Sequence, residues 1–137
     1  MQDQFEKQLS GAIEYIKTKF SPIAIYLLGS AARNELRLES DVDLAFISEE
    51  VISGYSCFEA AQELYDYFKR EVDLIHLNRS STVFMLQAIA KGKVIYNGDD
   101  HKRMLFEMRA FKAYSMLNEE RQEILDRFKE EGAVYER

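Results

Sequence analysis

Asp41 and Asp43 stand one residue apart at the head of the apolar run DVDLAFI, and ten residues separate them from a Gly29-Ser30 pair that closes an earlier apolar run. Read as a strand, 41–47 places Asp41, Asp43 and Ala45 on one face and Val42, Leu44 and Phe46 on the other, the second face packed. The two carboxylates then have alpha carbons roughly 6.6 Å apart and parallel side chains. Like charges so close repel unless something cationic lies between them. A pair of divalent ions about 3.5 to 4 Å apart, held by carboxylates, removes that repulsion and forms the clamp used in phosphoryl and nucleotidyl transfer. Oxygen-only ligands favour Mg2+, with Mn2+ a second choice.

Gly29-Ser30 adds an anion site. It follows a buried strand and precedes Ala31-Ala32-Arg33, which has good helical propensity, so amides of a helix start can point outward at the strand's end. Gly29 allows phosphates close to the backbone, Ser30 adds a hydroxyl, and Arg33 lies within reach of a phosphate. Asn34 suits the left-handed turn that stops this short helix. Asp73, in EVDLIHL, opens a further strand of the same alternating character. On a neighbouring strand it would accept the proton of an attacking hydroxyl or help hold the metal.

These residues need elements to position them. Phe5, Leu9, Ala12, Ile13 and Ile16 recur at three- and four-residue steps, which predicts an amphipathic helix from Gln4 to Phe20, ended by Ser21-Pro22. The continuous apolar run Ile23 to Leu28 reads as a buried strand. Phe58, Ala61, Leu64, Tyr65 and Phe68 mark a helix from about Ser53 to Arg70, capped by Ser53 or Ser56. A strand from Val72 to Leu77 follows. Ser80, Ser81 or Thr82 can cap a short helix running to Ala90, with Gly92 ending it before the strand Val94 to Tyr96. Asn97-Gly98 is a turn, and the rest is one long helix or two joined near Leu117-Asn118. The expected fold is α+β, an α/β two-layer domain with a mixed sheet, helices over one face and the other face partly open. One domain spans 1–137, with a core of about 1–97 and carboxy-terminal helices of about 99–137.

The bulk numbers narrow the function. A chain of 137 residues fits one core. Its net charge of -6 argues against stable nucleic-acid binding and a template-copying polymerase, because holding a phosphate backbone needs clustered Lys and Arg. The single cysteine, Cys57, has no partner for an internal disulfide. There is no signal-peptide-length apolar stretch and no run of ~20 apolar residues, so the expectation is a cytoplasmic protein without membrane insertion.

With these motifs the chain resembles the minimal nucleotidyltransferases of the DNA polymerase beta superfamily. The shared pattern is Gly29-Ser30, a ten-residue loop, Asp41-Val42-Asp43, and a later Asp73. The spacer and the SDVDL ending are most similar to the MNT antitoxins of HEPN/MNT toxin-antitoxin pairs, over nearly the whole chain. The resemblance implies a polymerase-beta-like fold and Mg2+-dependent transfer of AMP from ATP to a hydroxyl, the acceptor being a tyrosine of the partner HEPN ribonuclease toxin. It assigns Gly29, Ser30 and Arg33 to the triphosphate, Asp41 and Asp43 to two metal ions, and Asp73 to the metal and base position. Asn34 stands where many members have Gly, a change that a left-handed residue absorbs. Leu36 and Leu38 give the loop bulk that can alter which acceptor approaches.

Other readings compete. The same fold could neutralise a toxin by contact alone, or serve as a free-standing small-molecule nucleotidyltransferase, for which the chain has little room to hold an acceptor. Haloacid-dehalogenase-type phosphatases also use D-x-D, but there the aspartates end a strand and here they begin one. His76 has opposite strand parity to Asp73 and reads as a packed residue, His101 as a surface residue, and Cys57 as an apolar filler. Tyr55, Tyr65, Tyr67 and Tyr114 read chiefly as amphipathic packing residues, any exposed one being a candidate self-modified acceptor. Met104, Met108 and Phe111 form a stripe that either packs in the core or faces a partner.

Overall fold

The computed structural model describes residues 2–37 and 40–135. Leu38, one of the two bulky loop residues, lies outside them. The elements run α1 (Gln2–Phe20), β1 (Ala24–Leu28), α2 (Gly29–Ala32), β2 (Val42–Ile47), α3 (Gly54–Phe68), β3 (Val72–His76), a 3-10 turn (Leu77–Arg79), α4 (Thr82–Lys91), β4 (Lys93–Asn97) and α5 (Asp100–Tyr135). The four strands form one mixed sheet in the order β3-β2-β1-β4. β1 is antiparallel to both β2 and β4, and β2 is parallel to β3.

Local chemistry sets the boundaries. α1 stops where Ser21 turns left-handed, at φ 46°, just before Pro22. The Ser53 side chain accepts from the Ser56 amide and starts α3, and Ser81 does the same for α4 through Phe84. α3 ends on Lys69 at φ 57°, whose amide donates to the Tyr65 carbonyl at 2.7 Å. Gly92 closes α4, and α5 continues unbroken through Leu117-Asn118.

Ala12, Ile16 and Phe20 of α1 and Cys57, Ala60, Leu64 and Phe68 of α3 pack on Ile25, Leu27, Val42, Leu44, Phe46, Val72 and Leu74. At the centre of this face Phe46 is stacked between Phe20 and His76, with ring centroids 5.0 Å apart on both sides. The second face is open only at one end. Ala24, Tyr26, Ala45 and Ile47 are buried there against Leu77, Ala88, Phe84 and Phe106, so α4 and the first turns of α5 roof that part. The Tyr26 hydroxyl donates to Glu107 at 2.8 Å, and Arg103 donates to the same carboxylate. Burial, then the Glu107 carboxylate, pushes the Tyr26 phenol above its ordinary range. No helix among the described residues is long and apolar enough to cross a membrane.

The Phe46 column supports both β2 and β3, so truncating it tests how firmly their pairing is held. Phe46→Ala is expected to cost about 3–5 kcal/mol in urea or guanidinium unfolding. A midpoint unchanged from the wild type would show that the stack contributes nothing.

Candidate active site

The parallel register of β2 and β3 sets Asp43 directly opposite Asp73. On its other side Asp43 pairs with Leu28, the last residue of β1, and the next residue, Gly29, turns the chain into α2. Gly29 has φ 64°, and a Cβ placed there would lie 2.8 Å from Asp43 Oδ2. Any side chain would therefore meet the carboxylate in a backbone conformation that already disfavours L residues. Gly29, Asp43 and Asp73 thus gather at the open end of the second sheet face.

Asp41 lies one residue before β2 and is exposed. It is near enough to act on Asp43 by charge, yet outside the Asp43–Asp73 pair: among the described residues no three His, Cys, Asp or Glu side chains converge to hold a metal as they stand. Asp43 carries the electrostatic load. Burial, then the charge and hydrogen bond of Asp73, then the charge of Asp41, raise its pKa above the usual carboxylate value. A half-buried carboxylate opposite a second one, with a third two residues back, is a hard oxygen set whose repulsion a divalent cation relieves. The residues present fit Mg2+ in that respect.

The phosphate-side residues are arranged less simply. Ser30 is half-buried on α2, and its carbonyl accepts from the amides of Arg33 and Glu35 at 3.1 and 2.8 Å. Asn34 adopts the left-handed conformation that ends this turn, at φ 57°. Arg33 pairs with exposed Glu35 at 3.1 Å rather than with any site carboxylate. Such a surface pair is worth at most about 1 kcal/mol, so a triphosphate competes easily for the guanidinium. Arg70 is a positioning residue that motif spacing did not reveal. Its guanidinium donates to the Arg37 and Ser40 carbonyls at 2.6 and 3.1 Å, tethering the loop directly before Asp41. His76 sits on the opposite face, buried on Phe46 with both ring nitrogens unpartnered, and burial lowers its pKa.

The model of the family described as polymerase beta, nucleotidyltransferase matches residues 11–101. The protein adenylyltransferase MntA of Shewanella oneidensis is 32% identical over 102 residues, 74% of this chain and 73% of that protein. Among solved structures, a toxin-antitoxin crystal structure with AMP-PNP superposes with a TM-score of 0.76 at 29% identity, over 83% of this chain and 92% of that one. A complex of tri-AMPylated Shewanella oneidensis HEPN toxin with MNT antitoxin gives a TM-score of 0.73 at 27% identity, over 90% and 96%.

The raised pKa of Asp43 has a definite sign. A carboxyl that binds its proton more tightly in the folded chain makes the fold lose stability as pH climbs from the unfolded value, near 3.9, through the native one. Asp43→Asn is therefore expected to melt higher than the wild type at pH 7, by ~3 °C, with the gap closing below about pH 3. Mg2+ should raise the melting temperature of the wild type and leave the variant unmoved. A variant less stable than the wild type at neutral pH would mean that Asp43 is not under repulsion.

Proposed function

Because the chain belongs to the polymerase beta nucleotidyltransferase family, we propose that it transfers AMP from ATP to a tyrosine hydroxyl of a partner HEPN ribonuclease toxin and so acts as that toxin's antitoxin. The observation that carries this reading is the Asp43–Asp73 pair set against the side-chain-free backbone of Gly29. The relatives support it: one is named a protein adenylyltransferase, one was solved with AMP-PNP, and one is an MNT antitoxin held with an AMPylated HEPN toxin. With ATP as donor, the cytoplasm is where the reaction would take place.

The roles follow from placement. The first amides of α2, at Gly29 and Ser30, have no intrahelical acceptor and would cradle the triphosphate, with the Ser30 hydroxyl as a further donor. Arg33 would exchange Glu35 for a phosphate oxygen. Asp41 and Asp43, with Asp73, would hold two Mg2+ ions, or Mn2+. Bound there, the ions supply neutralisation of the charge that develops on the α-phosphate and on the leaving pyrophosphate. Asp73 faces the open end and would take the proton of the tyrosine hydroxyl as its oxygen attacks the α-phosphorus in line. The bond from that phosphorus to the bridging oxygen breaks, and pyrophosphate leaves.

The test is label transfer. Incubated with the toxin, Mg2+ and each α-labelled nucleoside triphosphate in turn, the wild type should label the toxin from ATP. Asp73→Asn should slow that labelling by about 10²–10⁴ while leaving the complex intact. Asp41→Asn should lose it through the metal. A toxin that is inhibited but never labelled would point instead to neutralisation by contact.

A further inference from the structure

Among the described residues, the buried anchors of α5 lie in its first turns. Lys102 pairs with Glu49, just beyond the carboxy-terminal end of β2, and Glu107 reaches Tyr26 in the middle of β1. Ala110 is its last buried residue among those described. The helix therefore runs from the far end of the sheet toward the end that carries Asp43 and Asp73, and it does not stop there. From Asn118 to Glu130 every residue is exposed, about 20 Å of helix at 1.5 Å per residue.

The overhang is not polar all round, as a solvated helix should be. Phe106, Ala110, Ala113, Leu117, Ile124 and Phe128 fall within about a 60° arc of the helix at 3.6 residues per turn. The stripe that faces the domain at Phe106 and Ala110 thus continues into open space, where Ile124 is 54% and Phe128 72% exposed. Because α5 heads toward the end of the sheet that carries Asp43 and Asp73, a partner lying along the overhang would have its own side chains directed at that end.

Charge favours the same occupant. Between 118 and 130 the acids Glu119, Glu120, Glu123, Asp126 and Glu130 outnumber Arg121, Arg127 and Lys129. A second copy, itself at -6, would bring like charge to this rim. A ribonuclease is expected to carry a basic RNA-holding surface, which would complement it.

We propose that the α5 overhang, through Ile124 and Phe128, is the docking face for the protein that carries the acceptor hydroxyl, the HEPN ribonuclease. The apolar side chains anchor the partner and the acidic neighbours form the rim. This rests on the transferase reading above, and its test separates the two.

The wild type, the Ile124→Glu/Phe128→Glu double variant and Met108→Glu are each co-expressed with the HEPN protein, and affinity and AMP labelling are measured. Met108 is also exposed but lies on the far side of the helix from the stripe. All three chains should melt alike and bind ATP and Mg2+ alike. The double variant should bind the toxin weaker by on the order of 100-fold, with labelling restored at saturating toxin. Met108→Glu should behave as wild type. A double variant that binds and labels as wild type overturns the docking face alone, and release by Met108→Glu instead overturns it too. A wild-type chain that self-associates through the overhang, and loses this in the double variant, overturns it in favour of a second copy. If the wild type binds the toxin without labelling it and the variants sort as expected, docking stands and the transferase reading falls. No binding by the wild type overturns both.

Discussion

The side-by-side pairing of β2 and β3 is the constraint from which the rest of the site follows. It forces Asp43 against Asp73, an arrangement the two charges oppose, so the rest of the sheet must hold it. A slip of one residue in either strand would turn its aspartate into the apolar core. Phe46 and His76, stacked beneath Phe20, and the buried Val42, Leu44, Val72 and Leu74 resist that slip, since each of these strand residues would have to exchange faces with its strand. Repulsion at one end of the sheet is thus tolerated because burial fixes the other.

The backbone shapes the other side of the site. Gly29 brings the chain within contact distance of a carboxylate that no Cβ could approach. Asn34 turns it away again, and Arg70 holds the returning loop by two carbonyls. What remains near Asp43 is a ribbon of peptide groups, which binds an anion without a side chain having to be ordered first.

Much of this is legible in the residues. The two-residue period of 41–47 identifies the face that carries Asp43, the character of EVDLIHL places Asp73 on a strand of its own, and Gly29 and Asn34 mark conformations few other residues tolerate. The parity of His76 puts it on the packed face, where it lies against Phe46. Other features leave no local trace. Alternation shows which side Ala45 and Ile47 occupy but not that α4 and α5 cover them, because those helices arrive from far along the chain. The Tyr26–Glu107 bond joins positions 81 residues apart. Arg33 is diverted by Glu35, a neighbour whose rotamer no spacing rule sets, and Arg70 looks like an ordinary charge after a helix. Asp41 precedes the strand that alternation alone would have started with it.

The order of the elements also times their assembly. Gly29, Ser30, Arg33, Asp41, Asp43 and Asp73 all belong to the stretch that ends with β3, and α1 and α3, which cover the inner face of these strands, are interleaved with them in the chain. β4 must travel back to the far edge of β1, and α5 can dock only after it. A single domain folds as a unit, so the strands that carry the carboxylates are completed only once β4 and α5 have left the ribosome and covered the outer face of β1 and β2. The chain's reactive end thus waits on its last-made helix.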